Sequence, residues 1–177
     1  MSFSVTVSWP PATHGSHHTA QNSEPLQREP LQREPLAKDS GTGPKQISRD
    51  HQLSFASGQV VAGSAAPEFL GSQDRVNPEE SLLSALAACH MLSFLTIVEK
   101  KRLTLLSYRD EAWAELGRNE KGQMAITRIA LNPEVELAPP LSEEQLTKLH
   151  ALAHKHCFIA NSLAKEIAIE IAPRQRR

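Results

Sequence analysis

Cysteine is scarce in this chain, with positions 89 and 157 the only two among 177 residues. So small a number excludes a scaffold stapled by several disulfides. An excess of one charge is lacking too: 19 Lys and Arg face 20 Asp and Glu, for a net charge of -1. That balance excludes the electrostatic footprint of a nucleic-acid binder, and the one basic cluster, residues 174–177, is expected to be a solvated tail. The N-terminus has neither a positively charged n-region nor an apolar h-region, so no secretory signal is expected and the location is expected to be cytoplasmic. In that compartment a cysteine pair is catalytic, redox-active or simply buried. With 40% hydrophobic residues the chain can still form one domain with a real core.

Long uncharged runs are absent except for one, the 18 residues Ser81–Val98 inside PEESLLSALAACHMLSFLTIVEKKR. A run of this length is near the minimum for crossing a bilayer. Its three serines, threonine, histidine and several alanines make it less apolar than a typical span, so a helix buried in a soluble fold is expected and no membrane partner. Asn77 is a good N-cap, Pro78 suits the first helical position, Glu80 fits a capping box, and Lys100, Lys101 and Arg102 suit the negative C-terminal end. Leu82, Ala85, Leu86, Cys89, Leu92, Ser93 and Thr96 recur at helical spacing, which predicts that Cys89 lies within a buried stripe.

Around this helix the pattern is that of a sheet protein. Phe3, Val5, Val7 and Trp9 alternate with polar residues as a half-buried strand, ended by Pro10 and Pro11. Residues 11–45, rich in Pro, Gly, Ser, His and Gln and carrying the repeat EPLQREPLQREPLAKD, read as a flexible insertion, with His14, His17 and His18 as mobile polar residues rather than a metal tract. Ile47, Arg49, His51, Leu53 and Phe55 share one parity and predict a second strand with an arginine on its apolar side. Ser57-Gly58 predicts a turn, Gln59 to Ala65 a third strand, and Pro67 through Val76 a loop. Further strands are expected over Tyr108 to Leu116 and from Met124 towards Leu137, the latter bent at Asn132-Pro133. Ser142 with Gln145 forms a second capping box opening a helix through Leu146, Leu149, Leu152 and Ala153, and Ile167, Ile169 and Ile171 mark a last strand. The order predicts an α+β fold, an antiparallel sheet on a long central helix, with 46–173 as the domain and 1–10 completing its sheet.

Taken by themselves, the two thiols are as compatible with buried free cysteines as with a redox pair. They stand 68 positions apart, so only the fold can bring them together. A mid-helix thiol far from the N-terminal dipole needs a nearby cation to react, and Arg49 is the candidate, since a guanidinium keeps its charge when desolvated. Glu79 is ten residues from Cys89, about 15 Å along a straight helix, so the two cannot touch directly unless the helix breaks. His154, His156, Cys157, Cys89 and His90 invite a zinc reading, but no CxxC or HExxH spacing supports it and no metal is expected.

The segments RVNPEESLLSALAACHML and AHKHCFIANSL, with SRDH upstream, resemble the OsmC/Ohr family of thiol-dependent peroxidases over about 47–171. His90 stands where the organic-hydroperoxide branch usually has phenylalanine, so the nearer likeness is to general OsmC-like members. The resemblance implies an intertwined homodimer, Cys89 as peroxidatic and Cys157 as resolving cysteine, Arg49 as the thiolate-activating arginine and Glu79 as its carboxylate partner. It further implies organic hydroperoxides as substrates, hydrogen peroxide as a further candidate, no bound cofactor, and regeneration by an external dithiol, with a lipoyl-type thiol as candidate reductant. Met91, Leu92, Phe94, Phe158 and Ile159 are candidates for an apolar substrate wall. A non-enzymatic redox sensor or a small-molecule binding protein on the same fold is the alternative.

Overall fold

Capping fixes the start of the central helix α1, Pro78–Lys100: the Asn77 side chain accepts from the Glu80 N–H at 2.8 Å, and the Glu80 carboxylate accepts from the Asn77 N–H at 3.1 Å. The computed structural model describes residues 1–9 and 47–176. The expected insertion at 11–45, with its three histidines, lies outside the described residues.

Strands β1 (Ser2–Trp9), β4 (Thr104–Arg118), β5 (Met124–Leu131), β6 (Pro133–Ala138), β7 (Ala168–Ile171) and β8 (Arg174–Gln175) form the main sheet, and β2 (His51–Ser54) pairs β3 (Val60–Gly63) separately. Helices α2 (Glu143–His156) and α3 (Phe158–Ser162) complete an α+β architecture. The registers simplify the sheet. β5 and β6 lie along the same edge of the long strand β4, with Trp113 opposite Ala130 and Asp110 opposite Pro133, so they are one ribbon interrupted at Asn132. β7 and β8 follow that ribbon in parallel with one constant offset, Arg128 facing Ala168 and Glu134 facing Arg174. The sheet is antiparallel at its centre and parallel at this outer edge. Residues 174–175, expected to begin a solvated tail, instead extend the sheet, because Gln175 Oε1 accepts from Leu141 N–H at 3.0 Å and Arg176 pairs with Glu134.

On β4 the even positions Tyr108, Asp110, Ala112 and Ala114 are buried under α1, while Arg109, Glu111 and Glu115 face out. The outer face is polar; there Arg128 lies 5.1 Å from the Trp113 ring and forks onto Glu170. The second predicted strand is shorter than its alternation suggested, and Arg49 precedes it. Phe55 is exposed beside the turn at Gly58, whose φ of +84° is costly for any residue with a Cβ. Helix α2 opens on the predicted Ser142–Gln145 capping box and buries Leu146, Leu149 and Ala153.

The buried stripe of α1 is not the predicted one. It consists of Leu83, Leu86, Ala87, His90, Phe94, Ile97 and Val98. Apart from Leu86, the predicted face of Leu82, Ala85, Cys89, Leu92, Ser93 and Thr96 is half-buried or open, with Leu92 58% exposed. The cause is that α1 is apolar around most of its circumference, so periodicity alone does not select a side. By length and composition α1 could cross a membrane; in this fold it packs on the sheet and on α2.

Asp110 is an acid on the inner face of the sheet, where its Oδ1 accepts from Asn132 N–H at 2.7 Å and bridges the interruption before Pro133. Burial raises this carboxyl from 3.8 to about 6, against the Asn132 bond, which lowers it. A carboxyl pKa raised by folding favours the protonated native form, a contribution complete below 3.8 and lost as pH rises through about 6. Asp110→Asn mimics the neutral acid and keeps the acceptor. It is expected to exceed wild type in stability by up to about 3 kcal/mol at about pH 8, with no difference at about pH 4. Thermal melts at both pH values check this, and a pH-independent difference counts against it.

Candidate active site

Two elements deliver the thiols. Cys89 lies halfway along α1, half-buried, and Cys157 is the fully buried residue between α2 and α3. α2 ends there because the Cys157 backbone turns extended, its N–H bonded to His154 O at 3.1 Å. The Cys157 side chain then caps α3, its Sγ accepting from Ala160 N–H at 3.4 Å. Both cysteines are free thiols, and they lie near enough for Cys89 to act on Cys157. Burial and then the Cys89 side chain push the Cys157 thiol up to about 11. Cys157 is thereby kept protonated.

Beside Cys89 opens a groove of about 610 Å³, lined by Leu92, Ser93, Thr96, Leu152 and Phe158 among others, and reaching Lys100 and Lys101. Of the five residues proposed for an apolar wall, Leu92 and Phe158 are here, the latter 81% exposed. Phe94 is not. It is fully buried against Tyr108 and His150, because position 94 falls on the face of α1 that meets α2. Met91 and Ile159 pack against the two core clusters.

These features, a thiol at the centre of an unbroken helix and a second at a helix junction under a curled sheet, can be compared with known proteins. A family model described as OsmC-like protein matches residues 71–172. The chain belongs to the OsmC-like protein family. An OsmC-like protein of unknown function from Vibrio cholerae O1 biovar eltor is 38% identical, with 73% of this chain and 85% of that one covered and a TM-score of 0.64. At the level of fold alone, an organic hydroperoxide resistance protein from Elizabethkingia anophelis is 15% identical, with 77% and 100% covered and a TM-score of 0.64. The organic hydroperoxide resistance protein OhrB of Bacillus subtilis is 16% identical, with 74% and 93% covered and a TM-score of 0.54. No curated protein matches the chain.

In this OsmC-like protein neither Arg49 nor Glu79 lines the groove, and among the described residues no hydrogen bond joins either side chain to Cys89. Since α1 is unbroken, Glu79 stays one and a half times ten residues of rise, about 15 Å, along the axis from Cys89. Arg49 is exposed, and its segment is anchored by its neighbour Asp50, which accepts from Ser64 and Ser72 at 2.9 and 2.7 Å and pairs with Arg75 at 3.3 Å. Those serines and Arg75 lie on the loop that feeds the α1 N-cap, so the Arg49 segment is tied to the end of α1 that carries Glu79. Among the described residues no group of three or more His, Cys, Asp or Glu side chains is placed to hold a metal.

A buried histidine pair escaped the sequence reading. His90 Nε2 and His150 Nδ1 are 3.0 Å apart, both residues are buried, and the His150 ring stacks on Phe94 with centroids 4.3 Å apart. Burial and then His154 lower His90 to about 4; burial and then His90 lower His150 to about 3. The available signal was His150 itself, which shares the apolar face of Leu146, Leu149 and Ala153.

The difference between a half-buried and a fully buried thiol gives an expected order of reactivity. At about pH 8, iodoacetamide should modify Cys89 at least about tenfold faster than Cys157, whose thiolate is scarce. Peptide mapping by mass spectrometry reads both rates in one sample; equal rates would contradict the geometry.

Proposed function

We propose that this protein is a thiol-dependent peroxidase acting on organic hydroperoxides, with hydrogen peroxide as a further substrate, in cytoplasmic defence against oxidative stress. The observation that carries this reading is the half-buried Cys89 thiol lining an apolar groove with the buried Cys157 thiol close beside it. Organic hydroperoxide resistance proteins sharing the fold support it.

In the proposed cycle the Cys89 thiolate attacks one peroxide oxygen; the S–O bond forms as the O–O bond breaks, and the alkoxide leaves as alcohol after taking a proton. The Cys157 thiol then attacks the sulfenic sulfur. An S–S bond forms, the S–O bond breaks, and the thiol proton leaves with hydroxide as water. An external dithiol, lipoyl-type or another small thiol, reduces the disulfide by exchange, and no bound cofactor enters.

The chain acts as a homodimer in this proposal. Leu92 on the open side of α1, Phe158 beside the groove, and Phe55 and Val60 around the β2–β3 turn are apolar and exposed in the single chain, the pattern of a core divided between two copies. The partner copy supplies Arg49 and Glu79 to Cys89, since within one chain Glu79 cannot reach it. Arg49 holds the thiolate and the peroxide oxygen, and Glu79 orients the guanidinium.

Intact mass spectra after excess cumene hydroperoxide test the assignment. Wild type should lose two hydrogens, Cys157→Ser should gain oxygen and drift to the sulfinic acid, and Cys89→Ser should not react. Reaction of Cys89→Ser but not Cys157→Ser reverses the roles, and two unreacted thiols in wild type end the peroxidase reading. Arg49→Ala should raise the pH midpoint of Cys89 alkylation by about one unit and slow peroxide reduction at least about tenfold. An unchanged midpoint removes Arg49 from the site. Sedimentation at micromolar concentration should show a dimer; a monomer would leave Glu79 without a role.

A further inference from the structure

The His90–His150 pair is placed where packing alone gives no reason for it. Both side chains are fully buried, and among the described residues His90 Nδ1 and His150 Nε2 have no hydrogen-bond partner. Apolar side chains of similar shape would fill the same space at little or no loss of stability. The location is specific, however. His90 directly follows Cys89 on α1, and His150 lies seven residues, two helical turns, before Cys157 on α2. The 3.0 Å bond therefore links α1, which carries Cys89, to α2, which ends at Cys157.

We infer that the His90–His150 hydrogen bond is a positioning device for the resolving step: it fixes α2 against α1 so that the Cys157 thiol stays beside Cys89, and protonation of both imidazoles releases it. A neutral pair needs one ring N–H and one bare ring nitrogen. Two protonated rings would set N–H against N–H, with like charges, at the same distance. The titratable groups around the pair give no relief: α1 adds Cys89, α2 adds His154, and β4 adds Tyr108 and Asp110. His154 acts unfavourably on a charged His90, Tyr108 is held neutral by burial, and Asp110, whose Oδ1 accepts from Asn132 N–H and whose Oδ2 has no hydrogen-bond partner among the described residues, acts on neither ring. β1 carries no titratable side chain. The step affected is attack of Cys157 on the Cys89 sulfenic acid, which joins the two sulfurs and releases water. The inference rests on the peroxidase reading only for the oxidation of Cys89 that precedes it.

Rapid-quench mass spectrometry on the full chain, after one equivalent of cumene hydroperoxide, separates oxidation of Cys89 from closure of the disulfide. His150→Leu breaks the bond, whereas His90→Gln/His150→Asn keeps amide groups at the two bonding atoms without their titration. Cys89 oxidation should stay within about twofold of wild type in both variants, while disulfide closure at about pH 7 slows at least about tenfold in His150→Leu and recovers to within about threefold in the amide pair. The ratio of wild-type to amide-pair closure rates cancels the ordinary pH dependence of thiol attack. It should stay near one from about pH 7 to about pH 4 and fall about twofold by about pH 3, where both rings begin to be protonated together. A folded His150→Leu variant that closes at the wild-type rate, or a ratio that does not move with pH, overturns the inference. If His150→Leu does not fold, the ratio alone decides. Closure driven by diamide, which needs no peroxide, is measured in parallel, so that a failure of Cys89 to reduce peroxide ends the peroxidase reading without obscuring the result for the histidines.

Discussion

An almost wholly apolar helix needs cover on every side, and the rest of the molecule is arranged to meet that need. One side of α1 is covered by the inner face of β4 and β1, another by α2, and the junction at Cys157 closes the cluster around Leu83, Leu86 and Ala87. The remaining side carries Cys89 and Leu92 and borders the groove. Exposed apolar surface of this kind is costly, and the constraint that builds the core leaves this side of α1 uncovered within one chain.

The same constraint sets the chemistry of the thiols. Full burial keeps the Cys157 thiol protonated, whereas Cys89, at the edge of the core, keeps access to the groove. An ordering of two thiols thus follows from one helix being covered on one side and open on the other. A cation is still required to make a mid-helix thiolate reactive, and within one chain Arg49 is held elsewhere, fixed through Asp50 to the loop before α1. Arg49 and Cys89 are therefore held by different parts of the chain.

Much of this was legible in the sequence because it is encoded locally. Asn77 with Glu80 and Ser142 with Gln145 are short-range hydrogen-bond patterns, and both capping boxes form as read. Alternation in β1 and in Ile167, Ile169 and Ile171, the turn at Gly58, and the break at Asn132-Pro133 are likewise local and stand in the structure. The buried side of α1 was read incorrectly because helical periodicity ranks faces only when one of them is polar. His150 and Asp110 were missed for a related reason: each sits in an apolar repeat, and a polar residue there gains its meaning from partners distant in sequence.

What the sequence by itself determined is the central helix and α2 with their N-terminal caps, the main alternating strands and the two cysteine segments, since these depend on contacts between residues a few positions apart. Tertiary structure alone decided which side of α1 is buried, that Phe94 is core while Leu92 and Phe158 flank the groove, that residues 174–175 extend the sheet, and that Cys157 meets Cys89 across 68 positions. Each of these rests on where a neighbouring element comes to lie, and an apolar helix with no polar face leaves that choice to the packing of the whole domain.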